Sequence, residues 1–362
     1  MNEREKLLSV FRGESVSPAA WFGDLSWWYA ANGRKNGYEG DEGYLRMHMD
    51  TRTGIYLYAP VVYKESYSED IRFSSEKRGN LTISRISTSL GDIESVSRYL
   101  PESFTSAYLT CYIKKTSDLE IMKHIWKNRF FSPSYEEFER IDRLWNGFGL
   151  PVALTPGCTT PLQTLITRWA GVEKTIDLLM EAPEEVEETM KVMEDSDDEL
   201  FRIIGESPAV FVEFPDNLSG DITGRRFIEK YEVPYWEKRI GQLHEKRKYV
   251  GIHNDGSVRC TIPILAEAGF DFIEAVTPSP VGDVPLEEIM SMSGDKSIIW
   301  GGLPGSLFSP AYSEEFFSGY IRDIMKVCAG RKNFVLGVAD QVPPDAEISR
   351  ISLVRKIIED AL

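Results

Sequence analysis

The second half of the chain alternates between short apolar runs and longer amphipathic stretches, and this alternation constrains the fold more than any other feature. Six runs rich in β-branched and aromatic residues are each followed by a polar or glycine-containing loop and then by apolar residues at helical spacing. They are PVALTPG (151–157), AVFVEFPD (209–216), YVGIHNDG (249–256), FDFIEAVTP (270–278), SIIWGGLPG (297–305) and NFVLGVADQ (333–341). Near-continuous apolar runs of this kind predict parallel strands that are buried on both faces.

Two further runs near the amino terminus, SPAAWFGD (17–24) and GIYLYAP (54–60), bring the number of predicted strands to eight. Eight parallel strands with intervening helices form a (β/α)8 TIM barrel, which is an α/β fold. An open doubly wound sheet is the alternative, but no GxGxxG motif follows the first strand. We therefore predict a single barrel domain spanning residues 1–362.

Residues 68–115 have a different pattern, in which polar and apolar positions alternate. Turn residues interrupt this pattern at RGN and LGD. Alternation with a period of two, broken by such turns, is typical of antiparallel hairpins. The sequence therefore predicts an antiparallel hairpin insertion in the barrel near residues 68–115.

The charge balance argues against polyanionic partners. The chain has 41 Lys plus Arg and 57 Asp plus Glu, a net charge of −16. Such a charge repels nucleic acid and anionic bilayers alike. The sequence shows no apolar stretch long enough for a signal peptide or a membrane span, and its four cysteines include no CxxC pair. We expect a cytoplasmic protein that acts on a small molecule.

In a barrel of this type the carboxyl ends of the strands converge on one face, so the residues there form the candidate site. These residues are Asp24, Asp216, His253, Asn254, Asp255, Glu274, Asp340 and Gln341. Carboxylates at the ends of apolar strands are costly to desolvate unless they bind a proton, a cation or a hydrogen-bond donor. The candidate site is therefore rich in acidic side chains.

Metal binding is one interpretation of His253, because an imidazole with two or three carboxylates makes a divalent site, most plausibly for zinc. Glu232 precedes Pro234, which is favoured in the first turn of a helix, and this position would bring its carboxylate to the side of the strand ends. The alternative is a core histidine bonded to Asp255 or to a main-chain carbonyl. The acids singly could equally serve as caps or turn residues, Asp216 among them.

An aromatic cluster follows the first predicted strand: Trp21, Phe22, Trp27, Trp28 and Tyr29. These rings could form the wall of a pocket for an aromatic or methylated substrate. Packing in the core is the alternative.

Five segments of the chain carry a family resemblance. They are REKLLSVFRGE, TTPLQTLITRWAG, FIEKYEVPYWEKRI, HNDGSVRCTIPILAEAGFDFIEA and LGVADQVPPDAEISRI. In this order along the chain they resemble the uroporphyrinogen decarboxylase superfamily, which includes cobamide-dependent methyltransferases with the same barrel. The resemblance implies a uroporphyrinogen decarboxylase-like barrel. It also implies a homodimer, as is common among family members.

Departures from the family patterns favour the methyltransferases over the porphyrinogen decarboxylases. The decarboxylases resembled here carry an MRQAGRY-like stretch whose two arginines hold the substrate carboxylates. This chain reads GDLSWWY there, with Asp24 and Trp28 at the two arginine positions. An acid and an indole in place of two cations would repel an octa-anionic tetrapyrrole.

The resemblance also bears on the metal ligands. Coenzyme M methyltransferases of the superfamily bind zinc with His-x-Cys, but Asp255 replaces the cysteine after His253. Ether-demethylating methyltransferases are similar to this chain in using two glutamates and a histidine, spaced E-x14-E-x20-H. Glu232 and His253 match the second gap with twenty intervening residues, whereas Asp216 precedes Glu232 with fifteen in place of fourteen. The resemblance thus implies a metal held by His253, Glu232 and Asp216, with Glu213 as the other candidate for the first ligand.

The function implied is metal-assisted transfer of a methyl group from a small, possibly methoxylated donor to a corrinoid on a partner protein. Asp255, Asp340 and Asp24 would be the catalytic acids, which orient ligands, donate protons or stabilise charge. The residues expected to bind the substrate are Trp27, Trp28, Tyr29, Asn254, Glu274, Trp300 and Gln341. Two alternatives remain: a cofactor-free decarboxylase of a carboxylated substrate, and a non-catalytic barrel that binds a ligand or a corrinoid protein.

Overall fold

The computed structural model describes residues 1–56, 60–102, 105–155 and 160–360 as a succession of helices and strands. The helices are Glu3–Phe11 (α1), Ser26–Asn32 (α2), Gly40–Thr51 (α3), Asp118–Lys127 (α4), Glu136–Trp145 (α5), Pro161–Thr164 (α6), Val172–Glu181 (α7), Pro183–Ser196 (α8), Asp198–Glu206 (α9), Gly220–Thr223 (α10), Arg225–Phe227 (α11), Val233–Glu245 (α12), Thr261–Ala268 (α13), Leu286–Ser293 (α14), Glu314–Val327 (α15) and Ile348–Asp360 (α16). The strands are Tyr63–Tyr67 (β1), Arg72–Arg78 (β2), Leu81–Thr88 (β3), Gly91–Leu100 (β4), Thr105–Thr110 (β5), Arg129–Pro133 (β6), Val152–Leu154 (β7), Phe211–Phe214 (β8), Tyr249–His253 (β9), Phe272–Val276 (β10), Ile298–Pro304 (β11) and Phe334–Ala339 (β12). None of the described helices combines the length and the apolar character needed to cross a membrane.

The chain forms two compact units. The first comprises Met1–Val62, Ser134–Pro156 and Ile204–Leu362, and the second comprises Tyr63–Pro133 and Gly157–Ile203. The single domain expected for the whole chain stays a prediction.

The first unit is built on a six-stranded sheet with the order β12-β11-β10-β9-β8-β7, in which all paired strands are parallel. Every one of the six apolar runs predicted after residue 150 contains one of these strands. Residues 156 and 157 of the first run lie outside the described residues. The predicted parallel α/β architecture is confirmed.

Isolated bridges extend this sheet through the two predicted strands near the amino terminus. Trp21 bridges Leu336 of β12, Phe22 bridges Gly54, and Ile55 bridges Gly149 shortly before β7. A Cβ atom at Gly54 would lie 2.5 Å from the Phe22 ring, so the close approach of these two segments requires glycine. Single bridges thus join the two segments to each other, to β12 and to the segment before β7, although residues 57–59 of the second run lie outside the described residues.

An apolar layer covers the inner face of the sheet near the amino ends of its strands. Phe211 of β8 and Phe272 of β10 pack with Trp300 in this core. The Phe11 ring at the end of α1 lies edge-on to the Phe211 ring, with 4.5 Å between ring centroids. Strand side chains alternate between the two faces, so the residues two positions further along β8 and β10 point into the same interior. Those residues are Glu213 and Glu274.

The second unit contains a four-stranded antiparallel sheet with the order β2-β3-β4-β5. Arg78 pairs with Leu81 across a two-residue turn, where Gly79 has a φ of 61°. Thr88 pairs with Gly91 across the next turn. Both turns lie where the sequence predicted them, and the hairpin insertion is confirmed.

His48 is a buried, neutral histidine in the first unit, and it makes a prediction about stability. Its Nδ1 lies 3.1 Å from the carbonyl oxygen of Thr53, and its Nε2 has no hydrogen-bond partner among the described residues. Burial lowers the pKa of His48 to about 3 from the ordinary value of 6.5. Because the folded-state pKa lies below the unfolded one, the unfolded state binds the proton first and the folded state loses stability as the pH falls below 6.5.

Between pH 7 and pH 5 we expect the wild-type protein to lose about 2 kcal/mol more unfolding free energy than His48→Gln, which cannot titrate there. Urea unfolding of both proteins at the two pH values measures the difference. An equal loss in the two proteins would contradict the prediction.

Candidate functional site

Three neighbouring strands bring an imidazole and two carboxyl groups together in the interior of the first unit. In the register of β9 and β10, His253 pairs with Glu274, and Glu213 of the adjacent β8 pairs with Gly251, two residues before His253. The candidate ligand atoms of Glu213, His253 and Glu274 all lie within 4.8 Å of one another. We call these three residues the Glu–His–Glu group.

Hydrogen bonds orient this group. His253 Nδ1 lies 2.7 Å from Glu274 Oε2 and 4.0 Å from Glu213 Oε1. The hydroxyl of Tyr56 donates a hydrogen bond to Glu274 Oε1. Within the described part of the chain, Glu213 Oε2 has no hydrogen-bond partner, although the residue is only 1% exposed. Such an unpaired buried oxygen is costly unless a proton or a cation satisfies it.

The electrostatics of the group reflect two acids that share a buried space. Burial, reinforced by the charge of Glu274, raises the pKa of Glu213 well above its ordinary value. Burial alone would lower the pKa of His253, but the nearby carboxylates, Glu274 first, raise it to about 10. Burial therefore favours the neutral form of Glu213, whereas the neighbouring carboxylates favour the charged form of His253.

Asp340 lies between this group and a cavity at the carboxyl ends of the strands. Its Oδ1 is 3.7 Å from His253 Nε2, on the opposite side of the imidazole from Glu274. Burial raises the pKa of Asp340 to about 6, although the charge of His253 opposes the shift. Asp340, Asp255, Trp27 and Gln341 line this cavity, which has a volume of about 910 Å³.

Asp24 is held by the protein itself. Its Oδ1 accepts a hydrogen bond from the Ser26 N–H at 2.7 Å, and its Oδ2 accepts one from the Gln341 amide at 2.8 Å. Burial raises the pKa of Asp24, and the bonds from Ser26 and Gln341 oppose this shift. Asp24 does not line the cavity, and it fixes Gln341, which does.

The structure separates the predicted metal ligands. Asp216 and Glu232 are not part of the Glu–His–Glu group found among the described residues. Asp216 Oδ2 accepts a hydrogen bond from the Trp236 indole N–H at 3.2 Å, and Glu232 ends a π-helical turn, Ile228–Glu232. The set that the fold brings to His253 is Glu213 and Glu274 in place of these two residues. The reason is that Glu213 and Glu274 lie within strands and point inward, whereas Asp216 follows the end of β8 and Glu232 lies in the π-helical turn before α12.

The predicted substrate-binding aromatic residues are also divided. Trp27 lines the cavity, but Trp28, Tyr29 and Trp300 do not. The Trp28 indole is buried and donates to the carbonyl oxygen of Ala346, and Trp300 is packed in the core of the barrel. The Tyr29 hydroxyl donates to the carbonyl oxygen of Gly40. A role of these three side chains in substrate binding stays a prediction.

Asn254 is fully buried and has local hydrogen-bond partners. Its amide donates to the Leu218 carbonyl oxygen at 2.9 Å, and its Oδ1 accepts from the Thr261 hydroxyl at 2.6 Å. The residue does not line the cavity, and it ties the loop after β9 to α13. Its predicted role in substrate binding stays a prediction.

Sequence analysis missed Tyr56 as a partner of the site and ranked Glu213 below Asp216. A signal for Glu213 was present, because Phe211 and Glu213 share one face of a strand with a period of two. No sequence signal singled out Tyr56. Asp221 of the short helix α10 and the loop residues Asp283 and Asp345 also line the cavity, and the sequence does not reveal that these segments converge.

The comparisons with known proteins agree with this fold. The family model described as "Uroporphyrinogen decarboxylase (URO-D)" matches residues 109–360. The chain belongs to the uroporphyrinogen decarboxylase family. It thereby belongs to a superfamily of enzymes, and the family resemblance predicted from the sequence is confirmed.

Among solved structures, a methyltransferase from Methanosarcina mazei is similar over 99% of both chains, with a TM-score of 0.64 and 10% sequence identity. At this identity the likeness supports the uroporphyrinogen decarboxylase-like fold and no specific activity. The pneumococcal virulence factor StrH matches over 62% of each chain with 12% identity and a TM-score of 0.36, a score too low to bear on the fold. No curated protein is similar enough in sequence to match.

Proposed function

We propose that this protein is a methyltransferase that moves a methyl group from a small methylated donor to a corrinoid carried by a partner protein. A zinc ion held by Glu213, His253 and Glu274 would assist the reaction. The observation that supports the proposal most directly is the Glu–His–Glu group, buried beside a cavity large enough for a small donor.

The residues present fit a divalent metal. One imidazole nitrogen and carboxylate oxygens from two glutamates form a donor set that zinc accepts in catalytic sites. Glu213 Oε2 is buried without a partner among the described residues, and two glutamates approach a single imidazole nitrogen. A bound cation would give the unpaired oxygen a partner and would balance the charge of the glutamates. When bound, a zinc ion supplies a Lewis acid that polarises the leaving atom of the donor.

The chain's own residues have distinct tasks in this proposal. Tyr56 holds Glu274 through its hydroxyl and so orients one ligand from behind. Asp340 stands between His253 and the cavity, where it can exchange a proton with the leaving atom of a donor. The apolar layer formed by Phe211, Phe272 and Trp300 excludes water from below.

A cofactor-free decarboxylase is the second candidate. The observation that favours it is the contact between protonated His253 and Asp340 beside the cavity, which provides a proton donor without any metal. The aspartates that line the cavity oppose this function, because they repel a carboxylated substrate.

The test is methyl transfer to free cob(I)alamin by zinc-reconstituted protein, followed by absorbance with a panel of methoxylated and other methylated donors. We expect zinc-dependent formation of methylcobalamin that is lost in His253→Ala, because removing the imidazole removes a metal ligand. His244→Ala is the matched control, since His244 lies on α12 and contacts Asp271 away from the cavity. Release of carbon dioxide by metal-free protein without any change in cobalamin would establish the decarboxylase instead.

A further inference from the structure

The cavity is lined by several acidic side chains, and their charge favours some classes of substrate over others. Of the twenty described residues that line it, five are aspartates, and none is Lys, Arg or His. The aspartates are Asp221, Asp255, Asp283, Asp340 and Asp345. Walls of one charge and low dielectric concentrate ligands of the opposite charge.

Asp340 lies 3.7 Å from His253 Nε2, but within the described residues the other four aspartates form no salt bridge with a basic side chain. Asp283 accepts hydrogen bonds from the N–H groups of Val258 and Arg259 and from the Ser257 hydroxyl, and Asp345 accepts one from the Ser309 hydroxyl, so their partners are neutral. Within the described residues, no salt bridge reaches Asp221 or Asp255.

The arginines that approach this region have other partners. The guanidinium of Arg259 pairs with Glu288, and that of Arg225 pairs with Glu229. Arg350 is buried and donates to the carbonyl oxygens of Leu307, Ser309 and Tyr312 from outside the cavity lining. The Arg259 guanidinium also donates to the main-chain carbonyl oxygen of Asp283. Within the described residues, none of these three guanidinium groups pairs with a carboxylate that lines the cavity.

The cavity is a site on grounds that do not depend on this charge. Asp340 joins it to His253, and beside His253 lies the buried, unpartnered oxygen of Glu213. From below, the His253 ring faces three carboxyl groups, those of Glu213, Glu274 and Asp340, so acidic side chains also predominate on this side of the cavity. Two aromatic residues, Trp27 and Tyr312, also line the cavity, and aromatic faces attract methylated ammonium groups.

We propose that the cavity selects a small organic cation, so that the methyl donor carries an ammonium group held by the aspartates and the aromatic side chains. This inference deepens the proposed function. It rests on that function only in describing the bound cation as the methyl donor. The selection itself is a property of binding and can be measured without turnover.

The test uses three probes of one shape on the purified full-length protein: choline, its neutral carbon isostere 3,3-dimethylbutan-1-ol, and the anion 3,3-dimethylbutanoate. Calorimetric titration should show that choline binds at least about tenfold more tightly than the neutral isostere. The preference should shrink when the ionic strength rises from about 0.02 M to about 0.5 M, because salt screens the aspartates.

Matched variants locate the effect. Asp255→Asn and Asp221→Asn should each weaken choline binding by about threefold or more and leave the neutral isostere unchanged, because each removes one charge and keeps the side-chain volume. Asp295→Asn is the control, since Asp295 is exposed and precedes the amino end of β11, away from the strand ends that form the cavity. Its choline affinity should equal that of the wild type.

Equal affinity for choline and the neutral isostere, a preference for the anion, or no binding of choline at millimolar concentration would each overturn the inference. A protein that selects choline but transfers no methyl group would keep this inference and remove the proposed function. Methyl transfer from neutral donors with no preference for cations would do the reverse.

Discussion

Glu213→Gln is expected to lower the zinc content of reconstituted protein from about one ion per chain to less than about a tenth, because a neutral amide oxygen replaces a charged ligand. The replacement is close to isosteric. Burial raises the pKa of Glu213 well above its ordinary value, so a neutral amide at this position avoids the cost of burying a charge. The fold should therefore survive the change while metal and methyl transfer are lost.

Metal analysis after dialysis and urea unfolding of the metal-free proteins measure the two effects separately. Glu237→Gln provides the matched control, because Glu237 lies exposed on α12 and is not part of the Glu–His–Glu group. Full zinc occupancy in Glu213→Gln would contradict the assignment of this ligand. A wild-type protein that takes up no zinc under metal-replete conditions would remove the metal from the proposal.

Trp300→Ala is expected to lower the unfolding free energy by about 3–5 kcal/mol, because it opens a cavity in the apolar layer below the site. The indole is fully buried. Its ring lies 4.6 Å from Tyr56, 5.8 Å from Phe272 and 5.9 Å from Phe22, measured between ring centroids. Urea unfolding monitored by circular dichroism measures the loss.

Phe316→Ala is the control for this prediction, since that ring is 46% exposed on α15, and its removal should cost about 1 kcal/mol or less. If Trp300→Ala is too unstable to study, Trp300→Phe should remain folded and lose about 1–2 kcal/mol. A stability equal to wild type in either Trp300 variant would show that the layer is not packed as described.

The position of Tyr56 connects these two predictions. Its ring packs against Trp300 in the apolar layer, while its hydroxyl donates to Glu274 in the Glu–His–Glu group. The core and the candidate metal site therefore share a residue. For this reason the metal content of any stable Trp300 variant should be compared with that of Glu213→Gln.

Much of the fold could be predicted because buried strands and helices produce periodic patterns of apolar residues along a sequence. The six apolar runs after residue 150 each contain a strand of the parallel sheet, and the turns at Gly79 and near Gly91 lie where the turn residues predicted them. His253, Asp255 and Asp340 were identified at strand ends for the same reason. Their roles in catalysis stay predictions.

The set of residues around His253 could not be read in the same way. Spacing within a family motif led to Asp216 and Glu232, but the register of β8, β9 and β10 brings Glu213 and Glu274 to the imidazole. Likewise, Trp27 and Trp28 are adjacent in sequence, yet one lines the cavity and the other is buried with its indole N–H bonded to Ala346. Linear spacing does not report which way a side chain points once a strand or helix has ended.

Periodicity and composition thus specified a parallel α/β architecture with an antiparallel insertion, an acidic surface and a histidine at a strand end, because each depends on local pattern or on total charge. Only the tertiary structure decided which acids meet that histidine and which aromatic side chains face the cavity. It also decided how five aspartates from separate segments come to line the cavity. These contacts join residues from distant segments, and their geometry follows from strand register and side-chain alternation in three dimensions.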